Sequence, residues 1–79
     1  MKVFFEVESS AIEGLNRVDG DLYALFKGNL VYRYKDVSKE LYHALFEAES
    51  LGKLFNKKVR NSFEVEAIGS IKPIFVNEA

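Results

Sequence analysis

Lys53, Lys57 and Arg60 fall at i, i+4 and i+7, with Lys58 beside them, so a helix through this stretch aligns three cations on one face. Several cations on one rigid element is the arrangement that neutralises neighbouring phosphates of a nucleic acid. Ser50 stands where it would cap that helix and direct its amide dipole toward an anion. Upstream, Tyr32 and Tyr34 flank Arg33. On a strand the two rings share one face, which is how aromatic platforms stack bases. Lys53, Lys57, Lys58, Arg60, Arg33 and Tyr32 are therefore the candidate nucleic-acid-binding residues, the cations for phosphates and Arg33 or Tyr32 for bases. Each also has a plainer reading. A lysine-rich helix face keeps a near-neutral protein soluble, and tyrosines ahead of a packed helix commonly lie half-buried beneath it.

Other chemistries find no complete set of residues. His43 is the sole histidine and falls near Lys39 and Glu47, on the flank away from Leu41 and Leu45, where a surface side chain is expected. With no cysteine and no second histidine, a zinc site is not expected. Ser9-Ser10 has no glycine-flanked elbow and no evident base, and reads as local hydrogen bonding at a bend. Gly20, Gly28 and Gly52 are isolated, so none makes a phosphate loop. The pairs Glu47/Glu49 and Glu64/Glu66 lack the buried surroundings that raise a carboxyl pKa for acid–base work. The expectation is a binding module and not an enzyme, with no catalytic residue, cofactor or metal.

A chain of 79 residues has room for a single domain, here 1–79. At this length only ~60% of the unfolded surface is buried on folding, which leaves a small stability margin. A hydrophobic content of 48%, with seven Phe and four Tyr, offsets that handicap. Net charge is −1, so no global field draws the chain to nucleic acid. The distribution matters more: between Ser50 and Phe63 there are four basic residues and no acid. Absence of cysteine suits a reducing cytoplasm. The acids at Glu6 and Glu8 interrupt any signal-peptide core, and no apolar run reaches the ~20 residues of a membrane span. A soluble cytoplasmic location is expected.

The elements that would position these residues follow from periodicity. Val3, Phe5 and Val7 alternate with Phe4, Glu6 and Glu8 as in a strand. Ser9-Ser10 interrupts it. Ile12 to Val18 is a second strand in which Gly14 marks a bulge, and Asp19-Gly20 is a hairpin turn. Strands over Leu22–Phe26 and Leu30–Tyr34 follow. A two-residue loop at Gly28-Asn29 and a three-residue loop, Lys27-Gly28-Asn29, put Tyr32 on opposite faces. The second is preferred, because it gathers Leu22, Ala24, Phe26, Leu30, Tyr32 and Tyr34 on one side. The other face then carries Tyr23, Leu25, Val31 and Arg33, too apolar to remain uncovered. Either the N-terminal strand or a second copy should cover it.

Ser38 caps a helix, with Val37 and Tyr42 spaced as a hydrophobic staple. Leu41, Ala44, Leu45 and Ala48 form its buried stripe, widened by Tyr42 and Phe46. In the second helix Leu51, Leu54, Phe55 and Val59 face inward. Phe63, Val65 and Ala67 then return to period two. Gly69-Ser70 reads as a turn that would set Val65 opposite Ile74 and Phe63 opposite Val76, with Pro73 confining the last strand to an edge.

Residues 9–63 resemble the KTSC domain. The matching pieces are Ser9-Ser10-Ala11-Ile12, Leu22 and Phe26, Tyr32-Arg33-Tyr34, Asp36-Val37, Leu45 to Ala48, and the run from Ser50 to Arg60. Their order and spacing, more than any one piece, carry the likeness. Ser38 stands where that family often has proline, and Phe63 where it often has tyrosine. The family takes its name from the C-terminus of some lysyl-tRNA synthetases and also occurs as free-standing bacterial and phage proteins. That company implies RNA binding by association only. Residues 2–8 add an N-terminal strand outside the likeness, and 63–76 add a C-terminal strand pair.

The expected fold is α+β, a small antiparallel meander of three to five strands with two short helices on one face. The expected function is binding, with RNA as the partner. The alternative is a protein partner or a homodimer, formed through the Tyr23, Leu25, Val31, Arg33 face or the C-terminal edge.

Overall fold

In the computed structural model, which describes residues 2–76, two tight connections fix the register of a central meander. β2 (Ile12–Val18) and β3 (Asp21–Phe26) join through Asp19 and Gly20, with φ of 52° and 86°, so that Val18 pairs with Asp21. β3 and β4 (Leu30–Tyr34) join through Lys27-Gly28-Asn29, where Asn29 is left-handed at φ 62°. Leu22, Ala24 and Phe26 consequently pair with Tyr34, Tyr32 and Leu30, the three-residue-loop register. The β2 ladder slips between Ile12 and Gly14, the expected bulge.

Two helices cover one face of the sheet. α1 (Lys39–Glu47) begins at Ser38, whose hydroxyl accepts a hydrogen bond from the Leu41 amide at 3.1 Å. α2 (Leu51–Lys58) begins at Ser50, which accepts from the Lys53 amide at 3.3 Å. Side chains that satisfy the first-turn amides are why both helices start where they do. The link from β4 into α1 is tied to the β2–β3 hairpin. Arg17 Nε donates to the Val37 carbonyl at 2.7 Å, and the Val37 amide donates to the Gly20 carbonyl at 2.9 Å. Under the helices lies the main core, built on Ile12, Leu15, Leu22, Tyr34, Leu45, Leu51 and Phe55.

β5 (Val65–Ser70) and β6 (Ile74–Val76) depart from the sequence expectation. The sheet has six strands in the order β5-β4-β3-β2-β1-β6, with β1 spanning Val3–Glu6. It is mixed, because β6 runs parallel to β1, pairing Val3 with Ile74 and Phe5 with Val76. The expected meander of three to five antiparallel strands is thus one strand or more short and misses the parallel pair. The expected C-terminal hairpin does not form either: Val65 pairs with Tyr34, and Phe63 precedes β5. Gly69, at φ +120°, serves a bulge in β5 and not a turn. Val31 faces Gly69 while Tyr32 faces Ala67, so Ile68 is the extra residue. β6 is an edge strand, as Pro73 requires.

The short link between β5 and β6 bends the sheet. The Ile71 amide bonds to the Asn29 carbonyl at one edge, and the Ile74 amide bonds to the Lys2 carbonyl at the other. Three residue steps reach at most about 11 Å. Five strand spacings in a flat sheet would need about 24 Å. The sheet therefore curls until its edges approach, and the link at residues 71–73 carries the chain from β5 at one edge to β6 at the other. This closes the face that carries Leu25 and Val31. Phe4 of β1 is fully buried there with both of them, and Tyr23 and Ile71 pack alongside. The cover comes from the N-terminal strand of the same chain. Met1 and residues 77–79 of the expected 1–79 domain lie outside the described residues.

Candidate nucleic-acid interface

α2 approaches the sheet closely at its first turn. A Cβ on Gly52 would stand 3.3 Å from Ser9 Oγ, so the absence of a side chain lets the helix settle beside the Ser9-Ser10 bend. Further along, the helix and the sheet diverge and leave a groove of about 800 Å³. Its floor includes Phe26, Tyr32 and Tyr34, and its opposite wall carries Lys53 and Asn56 of α2 and Arg60 just past the helix end. The aromatic floor is braced edge-to-face, with Phe26 against Tyr32 at 5.5 Å between centroids and Phe55 against both Phe26 and Tyr34 at 5.8 and 5.3 Å.

The six sequence-predicted residues divide evenly. Tyr32, Lys53 and Arg60 meet in the groove. Lys57 and Lys58 are exposed but do not line it. Arg33 lies on the opposite face of the sheet from Tyr32. It sits between Asp21 and Glu66, with N···O distances of 3.1 and 3.2 Å, and is engaged in ion pairs rather than available to a ligand in the groove. Arg60 also differs in detail. α2 ends at Lys58, so Arg60 is not on the helix face; its amide bonds back to the Phe55 carbonyl at 3.0 Å, and that turn keeps it beside the groove.

Several groove residues lie outside that candidate set. Asn56 is three residues after Lys53 and four before Arg60, a spacing that places it with them. Ser9 and Ser10 form part of the rim, where the sequence suggests only a bend. The Tyr34 ring is almost wholly buried, at 5% exposure, and its hydroxyl makes no hydrogen bond among the described residues. Burial pushes the Tyr34 pKa up despite the nearby Arg60 cation, so the phenol stays protonated and remains a donor at the groove floor.

A second, smaller cavity of about 410 Å³ adjoins the groove and shares Ser9, Ser10, Ser50 and Gly52 with it. Its other lining residues include Glu6, Glu8 and Glu49. The combined cleft is basic on one side of the Ser9–Gly52 contact and acidic on the other. No helix among the described residues is long and apolar enough to cross a membrane.

The model of the KTSC domain family matches residues 8–63. The crystal structure of a KTSC domain protein from Yersinia pestis has the same fold, with a TM-score of 0.78 at 25% identity. The match covers 84% of this chain and 96% of that one. No curated protein matches the chain.

Proposed function

We propose that this chain, which belongs to the KTSC domain family, is a non-enzymatic module that binds single-stranded RNA in the groove between α2 and the sheet. The observation that carries this reading is Tyr32 on the groove floor with Lys53 and Arg60 on the facing wall. A base laid against the ring leaves its phosphate toward the cations, the combination by which sequence-tolerant sites hold single strands. Ser9, Ser10 and Asn56 add groups that both donate and accept hydrogen bonds, which suits a ribose 2′-hydroxyl. A duplex presents no splayed base to such a floor. Net charge of −1 restricts the attraction to this local surface.

Binding of short RNAs over a range of salt concentrations tests the proposal. Lys53→Glu and Arg60→Glu should each weaken every single-stranded RNA alike and flatten the salt slope by about one unit for each phosphate no longer neutralised. Lys57→Glu and Lys58→Glu, off the groove, should change both quantities far less. A folded wild-type protein that binds no RNA at low salt would end this reading. Tyr34→Phe should keep the protein folded, since the hydroxyl has no partner among the described residues, and should weaken binding about 2- to 10-fold through loss of one hydrogen bond.

A second reading rests on the β6 edge, where Val3, Ile74 and Phe75 are exposed. Those residues favour a protein partner or a second copy. Association through them would persist at high salt, whereas phosphate-driven binding would not.

A further inference from the structure

We infer that the groove holds the end of an RNA strand and not its interior, an inference that rests on the RNA reading above. Lys53 and Asn56 lie within one turn of α2, about 5 Å of helix axis, and Arg60 follows in the turn just past the helix end, so the wall is short. Beyond it the cleft narrows between Gly52 and Ser9, where even a Cβ on Gly52 would stand only 3.3 Å from Ser9 Oγ. A strand that continued past this point would enter the cavity flanked by Glu6, Glu8 and Glu49. Each further phosphate would then lie within the ~10 Å over which charges interact at 0.1 M salt, opposed by carboxylates. Steric narrowing and charge act at the same place and in the same direction. On the basic side, by contrast, the Tyr34 hydroxyl sits on a buried ring near the Arg60 cation and has no partner among the described residues. A donor at the groove floor with no partner in the protein can take an acceptor that a ligand supplies, and a phosphate oxygen or base carbonyl would serve.

The cleft thus has an entrance at Arg60 and a stop at Ser9-Ser10. A site that threads a strand through typically covers about 4–16 nucleotides, and this one should cover fewer than about four.

The test compares linear oligouridylate with a covalently closed circle of about thirty uridines, long enough that curvature does not limit access to a site of this size. Both are titrated into the full chain at low salt. The linear form should bind at least tenfold more tightly per molecule. Equal affinities would overturn the end-binding inference and leave the RNA reading intact. Failure of both RNAs to bind the folded protein would overturn the two together. The double variant Glu8→Gln/Glu49→Gln should raise affinity for the circle at least threefold while leaving the linear RNA nearly unchanged. An unchanged ratio of linear to circular affinity would overturn the carboxylates as the stop.

Discussion

Leu45→Ala should destabilise the domain by about 2–5 kcal/mol, the range for deleting a buried leucine without collapse of the cavity. Leu45 is the one α1 residue that is fully buried among those described, and it joins the cluster containing Leu22, Tyr34 and Phe55. Its neighbours on the helix, Leu41, Tyr42 and Phe46, are only partly covered and cannot substitute for it. At roughly 0.05–0.15 kcal/mol per residue, total stability for a chain of this length is of the same order as the expected loss. The variant should be substantially unfolded at moderate temperature. Urea titration followed by far-ultraviolet circular dichroism measures the change, and a loss below about 1 kcal/mol would mean that α1 does not anchor the core through this side chain.

The second large effect is expected at Gly14. A Cβ there would stand 2.7 Å from Phe4 Cβ, a distance that packed carbons essentially never adopt, and 3.3 Å from Phe75 Cε1, a tight contact at the far end of that ring. Phe4 occupies the space over this glycine and so reaches Leu25 on the strand beyond. The close approach is to the first carbon of the Phe4 side chain, so a rotamer change at Phe4 relieves nothing. Gly14→Ala must displace β1, and β6 with it. Overpacking of this kind costs about 1–3 kcal/mol. Thermal unfolding should show a clear fall in Tm; an unchanged Tm would show that β1 shifts freely and that its burial contributes little.

Much of this architecture is readable from local chemistry. Ser38 and Ser50 mark helix starts because a hydroxyl at those positions accepts from first-turn amides that have no partner within the helix. Asn29 sets the β3–β4 register because it tolerates the left-handed backbone, and that register in turn places Tyr32 and Tyr34 over the helices. The parallel pairing of β1 with β6 has no such signature. It joins segments at opposite ends of the chain, and Gly69, which resembles a turn residue in isolation, is used for a bulge. The site shows the same division. The period of two in a strand already separates Arg33 from Tyr32, so those two could not share a ligand. By contrast, the convergence of Lys53 and Arg60 on the tyrosines depends on how α2 docks, and the spacing of cations alone could not distinguish Arg60 from Lys57.

The pairing of β6 with the N-terminal strand has a consequence for synthesis on the ribosome. Val3 leaves the ribosome 71 residues before Ile74, yet they are partners in one ladder. Long loops are closed at an entropic penalty that local hairpins avoid, so the hairpins of β2, β3 and β4 can form well before the ends meet. Until then Leu25 and Val31 are covered only through Phe4 of β1, a strand held by β2 on one side and still without its β6 partner on the other. The apolar face of the nascent chain therefore stays incompletely covered until residues 71–76 have emerged.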